Sequence, residues 1–242
     1  MLRVDLNCDL GEGMPNDEPL MAYISSANIA CGAHAGSIDT IRRTIGLAIE
    51  NGLAVGAHPS YNDTANFGRV DLLDQGLSMD QLKKDIESQL EIFTKVCAEF
   101  SIRPSHIKPH GALYNRAARD EEVARLIASI VQEMDFAPLL YGLSGSIHAE
   151  IARDYGLRYI QEVFADRTYQ KDGTLTPRTV KGALIENLDK SLEQVISMVG
   201  FGRVTAMDGT ELAIKADSIC IHGDGKNALD FARFIRSSLD RE

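Results

Sequence analysis

Residues 4–12 read VDLNCDLGE and combine apolar and polar side chains in strict alternation. Apolar residues occupy the even positions from 4 to 10, and Asp5, Asn7 and Asp9 occupy the odd positions between them. Side chains alternate across a strand, so the segment predicts a β-strand with two unlike faces. We expect the apolar face to pack on helices and the polar face to line a closed sheet. Asp9 and Glu12 would then reach the rim, where Gly11 lets the chain turn.

Six further strands are predicted along the chain, and helical patterns alternate with them. The seven predicted strands span residues 2–8, 25–31, 53–57, 105–110, 138–142, 157–163 and 218–222. This alternation is typical of parallel sheets. An open sheet gathers its ligands at one switch point, whereas a barrel presents functional residues at the carboxyl ends of most strands. Because almost every predicted strand ends in reactive residues, we predict an α/β fold, a TIM-like (β/α) barrel of seven or eight strands.

The helices and the domain organisation follow from the same patterns. Ser37 is predicted to cap a helix that Gly52 ends, and Asp120 to cap another. Further helices are predicted over residues 79–99, 144–155 and 188–199, with a hairpin at 204–214. We expect a single barrel domain over residues 1–242, interrupted by an excursion and hairpin at about 164–216.

Composition excludes several classes of function. The chain has 242 residues and a formal net charge of −10, and no Lys/Arg cluster suggests nucleic-acid binding. No apolar run has the ~20 residues that a membrane span needs, and the first residues do not resemble a signal peptide. The four cysteines are scattered and favour reduced thiols over a disulfide framework. We therefore expect a cytoplasmic protein without nucleic-acid or membrane partners.

Reactive side chains share faces at the ends of separate strands. The same-face groups are His106, Lys108 and His110; Glu162, Phe164 and Asp166; Cys220, His222 and Asp224; and Asn28 with His34. His58 stands at the end of another predicted strand. In parallel strands that close into a barrel, these groups would face one cavity.

The histidines differ in what their positions predict. A single histidine at a strand end is more often a hydrogen-bonded structural residue than a base or ligand. His106 lies near the start of its strand, where residues serve stability, and His148 lies in a predicted helix and is assigned to the surface. The joint placement of the remaining four favours a functional site made of His34, His58, His110 and His222.

Lys108 is the most informative single residue. Lysine is rarely buried unless it is paired, and this one stands between two apolar residues of a strand. It needs a carboxylate or an anionic ligand, and a purely structural salt bridge with Asp5 or Glu162 is the alternative to a role in binding. Arg69 and Arg167 add cationic groups in loops. Cations among carboxylates favour a small anionic or amide substrate.

Other chemistries have weaker support. The sequence lacks a P-loop, a G-x-S-x-G elbow and a G-x-G-x-x-G motif. Asp9, His34, His58 and His110 offer ligands of the kind that Zn²⁺ or Mn²⁺ accepts. No close H-x-x-x-H pairing accompanies them, so whether a metal binds is left open.

Seven motifs resemble those of the LamB/YcsF family and together cover essentially the whole chain. They are VDLNCDLGE (4–12), SANIACGAHAG (26–36), GAHPSYND (56–63) with NFGR (66–69), HIKPHGALYN (106–115), EVFADRTYQKDGTL (162–175), GALIEN (182–187) and IHGDG (221–225). The chain departs from the family pattern at Ala33, Ser37 and Asn62, and these departures remove no reactive group.

The resemblance implies a fold and a reaction. Family members look like barrels of the glycoside hydrolase/deacetylase type. The implied reaction is the ATP-dependent cleavage of the lactam 5-oxo-L-proline to L-glutamate. The B and C subunits of a 5-oxoprolinase, as partners, would activate the lactam with ATP bound mainly by them, and this chain would open the ring. That division agrees with the missing P-loop.

Amide hydrolysis needs a base for water, an acid for the leaving nitrogen and cations for developing negative charge. We assign Asp9 or His110 as base, His34 or His58 as acid, and Lys108 with Arg167 as electrostatic clamps. The predicted catalytic residues are Asp9, His34, His58, Lys108, His110 and Asp166. The predicted substrate-binding residues are Asn7, Glu12, Asn28, Arg69, Tyr114, Asn115, Arg167, His222 and Asp224, with Asn7, Asn28 and Asn115 orienting the substrate.

Two other functions fit the same residues. A metal-dependent deacetylase or amidohydrolase acting on another small amide predicts bound Zn²⁺ or Mn²⁺ and loss of activity on chelation. A non-catalytic binding protein within the complex predicts that changes at the polar strand ends leave activity intact. So many inward charges are hard to reconcile with a purely structural role, because an unpaired buried charge costs several kcal/mol.

Overall fold

The first strand pairs with a neighbour on each side, and that pairing closes the sheet. A computed structural model describes residues 4–223 and 228–239. Seven parallel strands form a closed barrel in the order β1 (Asp5–Leu10), β2 (Ser26–Ala30), β3 (Ala54–His58), β4 (His106–Ile107), β5 (Leu139–Leu143), β6 (Tyr159–Phe164) and β9 (Ser218–Ile221). β1 pairs with β2 and with β9. The predicted (β/α) barrel is therefore confirmed, with seven strands in the described residues.

Helices alternate with the strands and cover the outside of the barrel. They are α1 (Asp17–Leu20), α2 (Ile38–Glu50), α3 (Met79–Glu99), α4 (Gly111–Ala117), α5 (Glu121–Gln132), α6 (Ile147–Asp154), α7 (Leu188–Phe201) and α8 (Ala228–Leu239). The predicted caps are present, since the Ser37 side chain accepts from the Thr40 N–H and Asp120 accepts from two N–H groups of α5. The excursion between β6 and β9 contains α7 and a hairpin of β7 (Arg203–Thr205) with β8 (Glu211–Ala213).

β4 is much shorter than the predicted strand over residues 105–110. Regular pairing covers only His106 and Ile107, because Pro109 has no N–H to donate. The extended path nevertheless continues: the Lys108 N–H donates to the Ala57 carbonyl at 2.9 Å and the His110 N–H to the Pro59 carbonyl at 2.8 Å. The predicted common face of Lys108 and His110 is retained.

The two faces of β1 pack as the opening alternation predicts. Leu6, Cys8 and Leu10 are fully buried in the hydrophobic core. Asn7 and Asp9 point into the barrel, where they contact side chains from other strands. The polar side of the strand therefore lines the interior.

Asp5 does not pair with Lys108, which corrects one of the two structural partners expected for that lysine. The Asp5 carboxylate accepts hydrogen bonds from Ser25, Ser26, Ser218 and Tyr141. Asp5 lies four positions before Asp9, so at about 3.3 Å per residue it lies lower in the barrel, beneath the level of Asn7.

The His106 ring crosses the barrel interior next to a position that has no side chain. Its Nε2 lies 2.8 Å from Asn28 Oδ1. A Cβ at Gly56, the residue paired with His106, would overlap this ring. Glycine at that position therefore makes room for a polar layer beneath the upper ends of the strands.

His148 is buried, so its predicted surface position is wrong. It is 2% exposed on α6, its ring packs edge-on against Tyr159, and its Nε2 has no hydrogen-bond partner among the described residues. The apolar pattern used to assign α6 treated histidine as a polar surface residue, whereas here the ring serves as part of the packing.

None of the helices in the described ranges is long and apolar enough to cross a lipid bilayer.

The buried His148 predicts a pH dependence of stability. Burial lowers the pKa of His148 to about 3, whereas in the unfolded chain the ring titrates at about 6.5. Only the unfolded chain binds this proton between those values, so the free energy of unfolding falls as the pH drops below the unfolded value. We expect His148→Leu to reduce the loss of stability between pH 7 and pH 5 by about 2 kcal/mol. Urea denaturation at both pH values measures this, and an equal loss in both proteins would contradict it.

Candidate active site

The carboxyl ends of the barrel strands open into a cavity of about 830 Å³. Its floor and walls contain ten of the residues predicted for the site. They are Asp9, Glu12, His58, Arg69, Lys108, His110, Tyr114, Asn115, Arg167 and His222. This is the end of a parallel barrel at which active sites occur.

Other predicted residues lie behind that surface. Asn7, Asn28, His34 and Asp166 contact residues that line the cavity but do not line it themselves. Asp224 falls outside the described residues. Asn7 and Asn28 are fully buried, so they orient other side chains and do not reach a molecule in the cavity.

Lys108 is the centre of the polar interior. Its side chain is 2% exposed, and its Nζ lies 2.8 Å from Asp9 Oδ1 and 2.9 Å from Glu162 Oε1. Asn7 Oδ1 and Cys220 Sγ complete the surroundings at 3.2 Å each. Burial opposes the charged form, but Asp9, Cys220 and Glu162 outweigh it and raise the pKa of Lys108 well above its usual value. Lys108 therefore makes the structural salt bridge with Glu162 and also contacts Asp9, a residue that lines the cavity.

Asp9 connects the lysine to the histidines. Its Oδ1 accepts from Lys108 and from the Asn28 amide at 2.8 Å, and its Oδ2 lies 3.3 Å from His58 Nε2. Burial raises the pKa of this carboxyl, but His58 and Lys108 outweigh burial and hold it well below its usual range. Asp9 is therefore a carboxylate, with one oxygen turned toward the ammonium and one toward the imidazole.

Two backbone carbonyls orient the central pair of histidines. His58 Nδ1 lies 2.7 Å from the Lys108 carbonyl oxygen, and His110 Nε2 lies 3.0 Å from the Phe67 carbonyl oxygen. The remaining nitrogens, His58 Nε2 and His110 Nδ1, face each other at 2.9 Å. Because a carbonyl only accepts, the outer nitrogen of each ring is the one that carries a hydrogen.

His34 supports the pair from the side. Its ring stacks on His110 with centroids 3.8 Å apart. Its Nδ1 contacts Ser60 Oγ at 2.9 Å, and its Nε2 contacts Glu12 Oε1 at 3.0 Å. Burial, followed by the nearby His58, lowers the pKa of His34 to about 3. His34 is therefore neutral, and it positions both His110 and Glu12.

The loop after β3 provides a strained contact to the same pair. Phe67 has a φ of +56°, a conformation that is uncommon for a bulky residue, and its carbonyl is the acceptor for His110. A Cβ at the next residue, Gly68, would approach His110 and His34 to 3.0 Å. The strain at Phe67 and the missing side chain at Gly68 allow this loop to close over the histidines.

A second acid–histidine pair lies across the cavity. Both carboxylate oxygens of Asp166 lie 2.9 Å from His222 Nδ1, and the Phe164 ring stacks on His222 with centroids 5.4 Å apart. Burial raises the pKa of Asp166, but His222 outweighs it and the net pKa is lowered. Asp166 thus acts on the cavity through the His222 ring.

The excursion after β6 supplies cationic groups to the cavity wall. Arg167 is 4% exposed, donates to the Thr176 carbonyl at 2.6 Å, and has a buried Nε without a hydrogen-bond partner among the described residues. Burial, with nearby Arg178, lowers the pKa of Arg167 to about 10. Arg167 remains a cation at neutral pH, and it lines the cavity, where its charge favours an anionic group.

Several contributors were not predicted from the sequence. Ser60 and Phe67 position the histidines, and the excursion adds Gln170 and Arg178 to the cavity wall. Phe164, which stacks on His222, was expected on the cavity face but was given no role. All but Arg178 lie inside the motifs shared with the family, which are the signal that could have found them. The contribution of Phe67 is a backbone carbonyl, which no residue type reveals.

Three groups of side chains place possible metal ligands within 4.8 Å of one another. They are Asp9, His58 and His110; Asp9, Cys220 and His222; and Glu12, His34 and His110. The predicted ligands Asp9, His58 and His110 thus form one group, and His34 belongs to another. Carboxylates, imidazoles and cations around one cavity can activate water, transfer protons and bind negative charge.

Comparisons with known proteins agree with this geometry. A model of the LamB/YcsF family matches residues 4–242. The chain is 47% identical to a protein of Histophilus somni that is named as the A subunit of 5-oxoprolinase, over 99% of this chain and 96% of that protein. It is 46% identical to a protein of the same name from Bordetella pertussis, over 99% of this chain and 96% of the other. A crystal structure of a lactam utilization protein from Thermus thermophilus has a TM-score of 0.89 and 38% identity, covering 98% of this chain and 96% of that one.

Removal of the Lys108 ammonium should destabilise the barrel. Lys108→Met leaves Asp9 and Glu162 buried without their cation, so we expect a loss of about 3–5 kcal/mol in the free energy of unfolding. Adding Glu162→Gln to this variant removes one uncompensated charge and should recover part of the loss. Urea denaturation at pH 7 measures both.

The matched control is Lys95→Met, which breaks an exposed lysine–glutamate pair on α3 with N and O 2.6 Å apart. It should leave stability nearly unchanged. If the double variant is no more stable than Lys108→Met alone, the Glu162 carboxylate does not need the lysine charge, which would contradict this prediction.

Proposed function

Because the chain belongs to the LamB/YcsF family, we propose that it opens the lactam ring of 5-oxo-L-proline as the A subunit of an ATP-dependent 5-oxoprolinase. Relatives of nearly the same length carry that name. The observation that carries the proposal is the buried group of Asp9, Lys108, His58 and His110 beneath one cavity. A lactam is an amide, and its hydrolysis needs this combination of carboxylate, imidazole and cation.

The reaction divides between the members of the complex in this proposal. ATP, handled mainly by the partner B and C subunits, activates the ring at its carbonyl oxygen and makes the carbonyl carbon more electrophilic. Transfer of the terminal phosphoryl group of ATP to that oxygen releases ADP. Water then attacks the carbon, the carbon–nitrogen bond breaks and the nitrogen takes up a proton, and a second water releases the phosphoryl group as inorganic phosphate to leave L-glutamate. The absence of a P-loop in the sequence supports this division. The use of ATP also supports a cytoplasmic location.

The cations of the cavity suit an anionic substrate. We assign Arg167, a cation that lines the cavity, to the substrate carboxylate. Lys108, which pairs with Asp9, would stabilise the negative charge that develops on the ring oxygen. Arg69 is exposed at the cavity rim, where its guanidinium lies 4.9 Å from the Phe67 ring centroid, and Asn115 is exposed in α4. These two would contact the outer part of the activated substrate.

Proton transfer is assigned to two places. Water activation belongs to the group of Asp9, His58 and His110, whose side chains line the cavity. The proton for the ring nitrogen is assigned to His222, because Asp166 holds its Nδ1 and the ring faces the cavity. His34 lies behind His110, so a positioning role replaces the acid role that its sequence position suggested.

The test measures glutamate release from 5-oxoproline and ATP, first with the purified chain and then with the B and C subunits added. We expect activity only with the partners. Asp9→Asn and His222→Gln should each lower kcat/KM by at least about 100-fold, since general acid–base groups contribute roughly 10²–10⁴-fold.

Asp80→Asn is the control, because it makes the same chemical change at an exposed position in the first turn of α3. It should retain the full rate. Circular dichroism confirms that each variant is folded. No glutamate from the unmodified chain with both partners would contradict the function, whereas a folded and fully active Asp9→Asn protein would contradict the site and favour a docking role without catalysis.

A further inference from the structure

We propose that the carboxyl ends of β1, β3 and β4 bind one divalent transition-metal ion of the zinc class, with Asp9, His58 and His110 as its protein ligands. The three side chains are 8%, 1% and 6% exposed, and all of them line the cavity. The ligand atoms are Asp9 Oδ2, His58 Nε2 and His110 Nδ1.

The hydrogen bonds of the two histidine rings determine their tautomeric state. The Lys108 carbonyl oxygen, 2.7 Å away, requires a hydrogen on His58 Nδ1. The Phe67 carbonyl oxygen, 3.0 Å away, requires a hydrogen on His110 Nε2. In the neutral rings, the other two nitrogens therefore carry lone pairs. Such contacts from the outer nitrogen to a carbonyl are the usual way in which proteins orient metal-binding histidines.

The lone pairs of the two rings face each other beside the Asp9 carboxylate. His58 Nε2 and His110 Nδ1 lie only 2.9 Å apart, and Asp9 Oδ2 lies 3.3 Å from His58 Nε2. With both rings neutral, three acceptor atoms meet in a buried place and no ring hydrogen lies between them, so a metal ion takes the place of the proton through which His58 otherwise stabilises the Asp9 carboxylate. The Lys108 ammonium does not fill that place, because its hydrogen bond to Asp9 is made to Oδ1. A cation among the three atoms removes the repulsion between them.

The charge and the types of ligand at this position also fit a divalent ion. Asp9, Glu12 and Glu162 contribute three carboxylates to the ion pairs of this group, against the ammonium of Lys108, so a divalent ion balances their charge. Two imidazoles and one carboxylate are a common ligand set of catalytic zinc sites, which leave a fourth position for water or substrate. That position would face the cavity.

The other two candidate groups fit an ion less well. His34 is occupied on both nitrogens, by Ser60 and by Glu12. Cys220 Sγ lies 3.2 Å from the Lys108 ammonium, which would repel a cation bound at the sulfur. The structure therefore favours Asp9, His58 and His110 over the wider set that the sequence suggested.

The consequence for catalysis rests on the proposed function, whereas binding of the ion does not. A bound divalent ion lowers the pKa of a water molecule and polarises a carbonyl oxygen. Glu12, whose Oε1 lies 3.5 Å from His110 Nδ1, is a carboxylate outside the ligand set that lines the cavity, and it is the candidate to accept the water's proton.

The experiment is a calorimetric titration of the full chain, stripped of metal, with Zn²⁺ and separately with Mn²⁺. We expect one ion per chain. Asp9→Asn, His58→Gln and His110→Gln should each weaken binding by at least about 100-fold, because each removes one of only three protein ligands. Metal analysis after dialysis gives an independent count of bound ions.

Two control variants show whether binding depends on these three ligands alone. His148→Gln changes a buried histidine outside the group, and Cys220→Ser removes the sulfur of the second group. Both should still bind one ion and lose less affinity than the ligand variants, because neither residue is a ligand and loss of a supporting partner costs roughly 10–100-fold at most. Absence of stoichiometric binding to the folded chain would overturn the proposal, and so would binding that survives both Asp9→Asn and His58→Gln. An ion bound at these residues in a chain that releases no glutamate with its partners would retain the metal site and reject the function.

Discussion

The structure depends on one buried ammonium group in a barrel interior that otherwise offers carboxylates, amides and imidazoles. Lys108 forms ion pairs with both Asp9 and Glu162, which come from two strands that are not neighbours in the closed sheet. Its own backbone carbonyl accepts from His58. A single residue therefore fixes the charge balance of the interior and the direction of a histidine ring. An isolated buried charge would cost several kcal/mol, so none of these groups can change independently of the others.

The barrel brings these residues together in one site because its strands end at the same level. Asp9, His58 and His110 are contributed by β1, by the end of β3 and by the segment after β4. Below them, Asn7 and Asn28 use their hydrogen bonds within the interior and hold Asp9 in place. Above them, the strained carbonyl of Phe67 holds His110. The reactive groups thus lie between a rigid polar layer and a loop whose conformation is costly to keep.

The sequence predicted the barrel and much of the site because both depend on alternation along strands. Lys108, His110 and Cys220 were placed correctly since residues two apart share a face even where β4 loses regular pairing. Alternation does not show how deep in the barrel a side chain lies. Asp5 was therefore predicted as a partner of Lys108, whereas it accepts hydrogen bonds from serines and from Tyr141. Helical patterning misplaced His148, because it treated a packed ring as polar. The Phe67 carbonyl and the wall formed by the excursion depend on loop conformation, which carries no periodic signal.

The central claim is that backbone carbonyls give His58 and His110 opposite tautomers, so that His58 Nε2 and His110 Nδ1 converge with Asp9. Nitrogen-15 NMR of the histidine rings in the zinc-loaded chain measures this directly, with the signals assigned through His58→Gln and His110→Gln variants. The account predicts a hydrogen on Nδ1 of His58 and on Nε2 of His110, and none on the facing nitrogens. The same tautomer in both rings, or a second hydrogen on either ring, would contradict it.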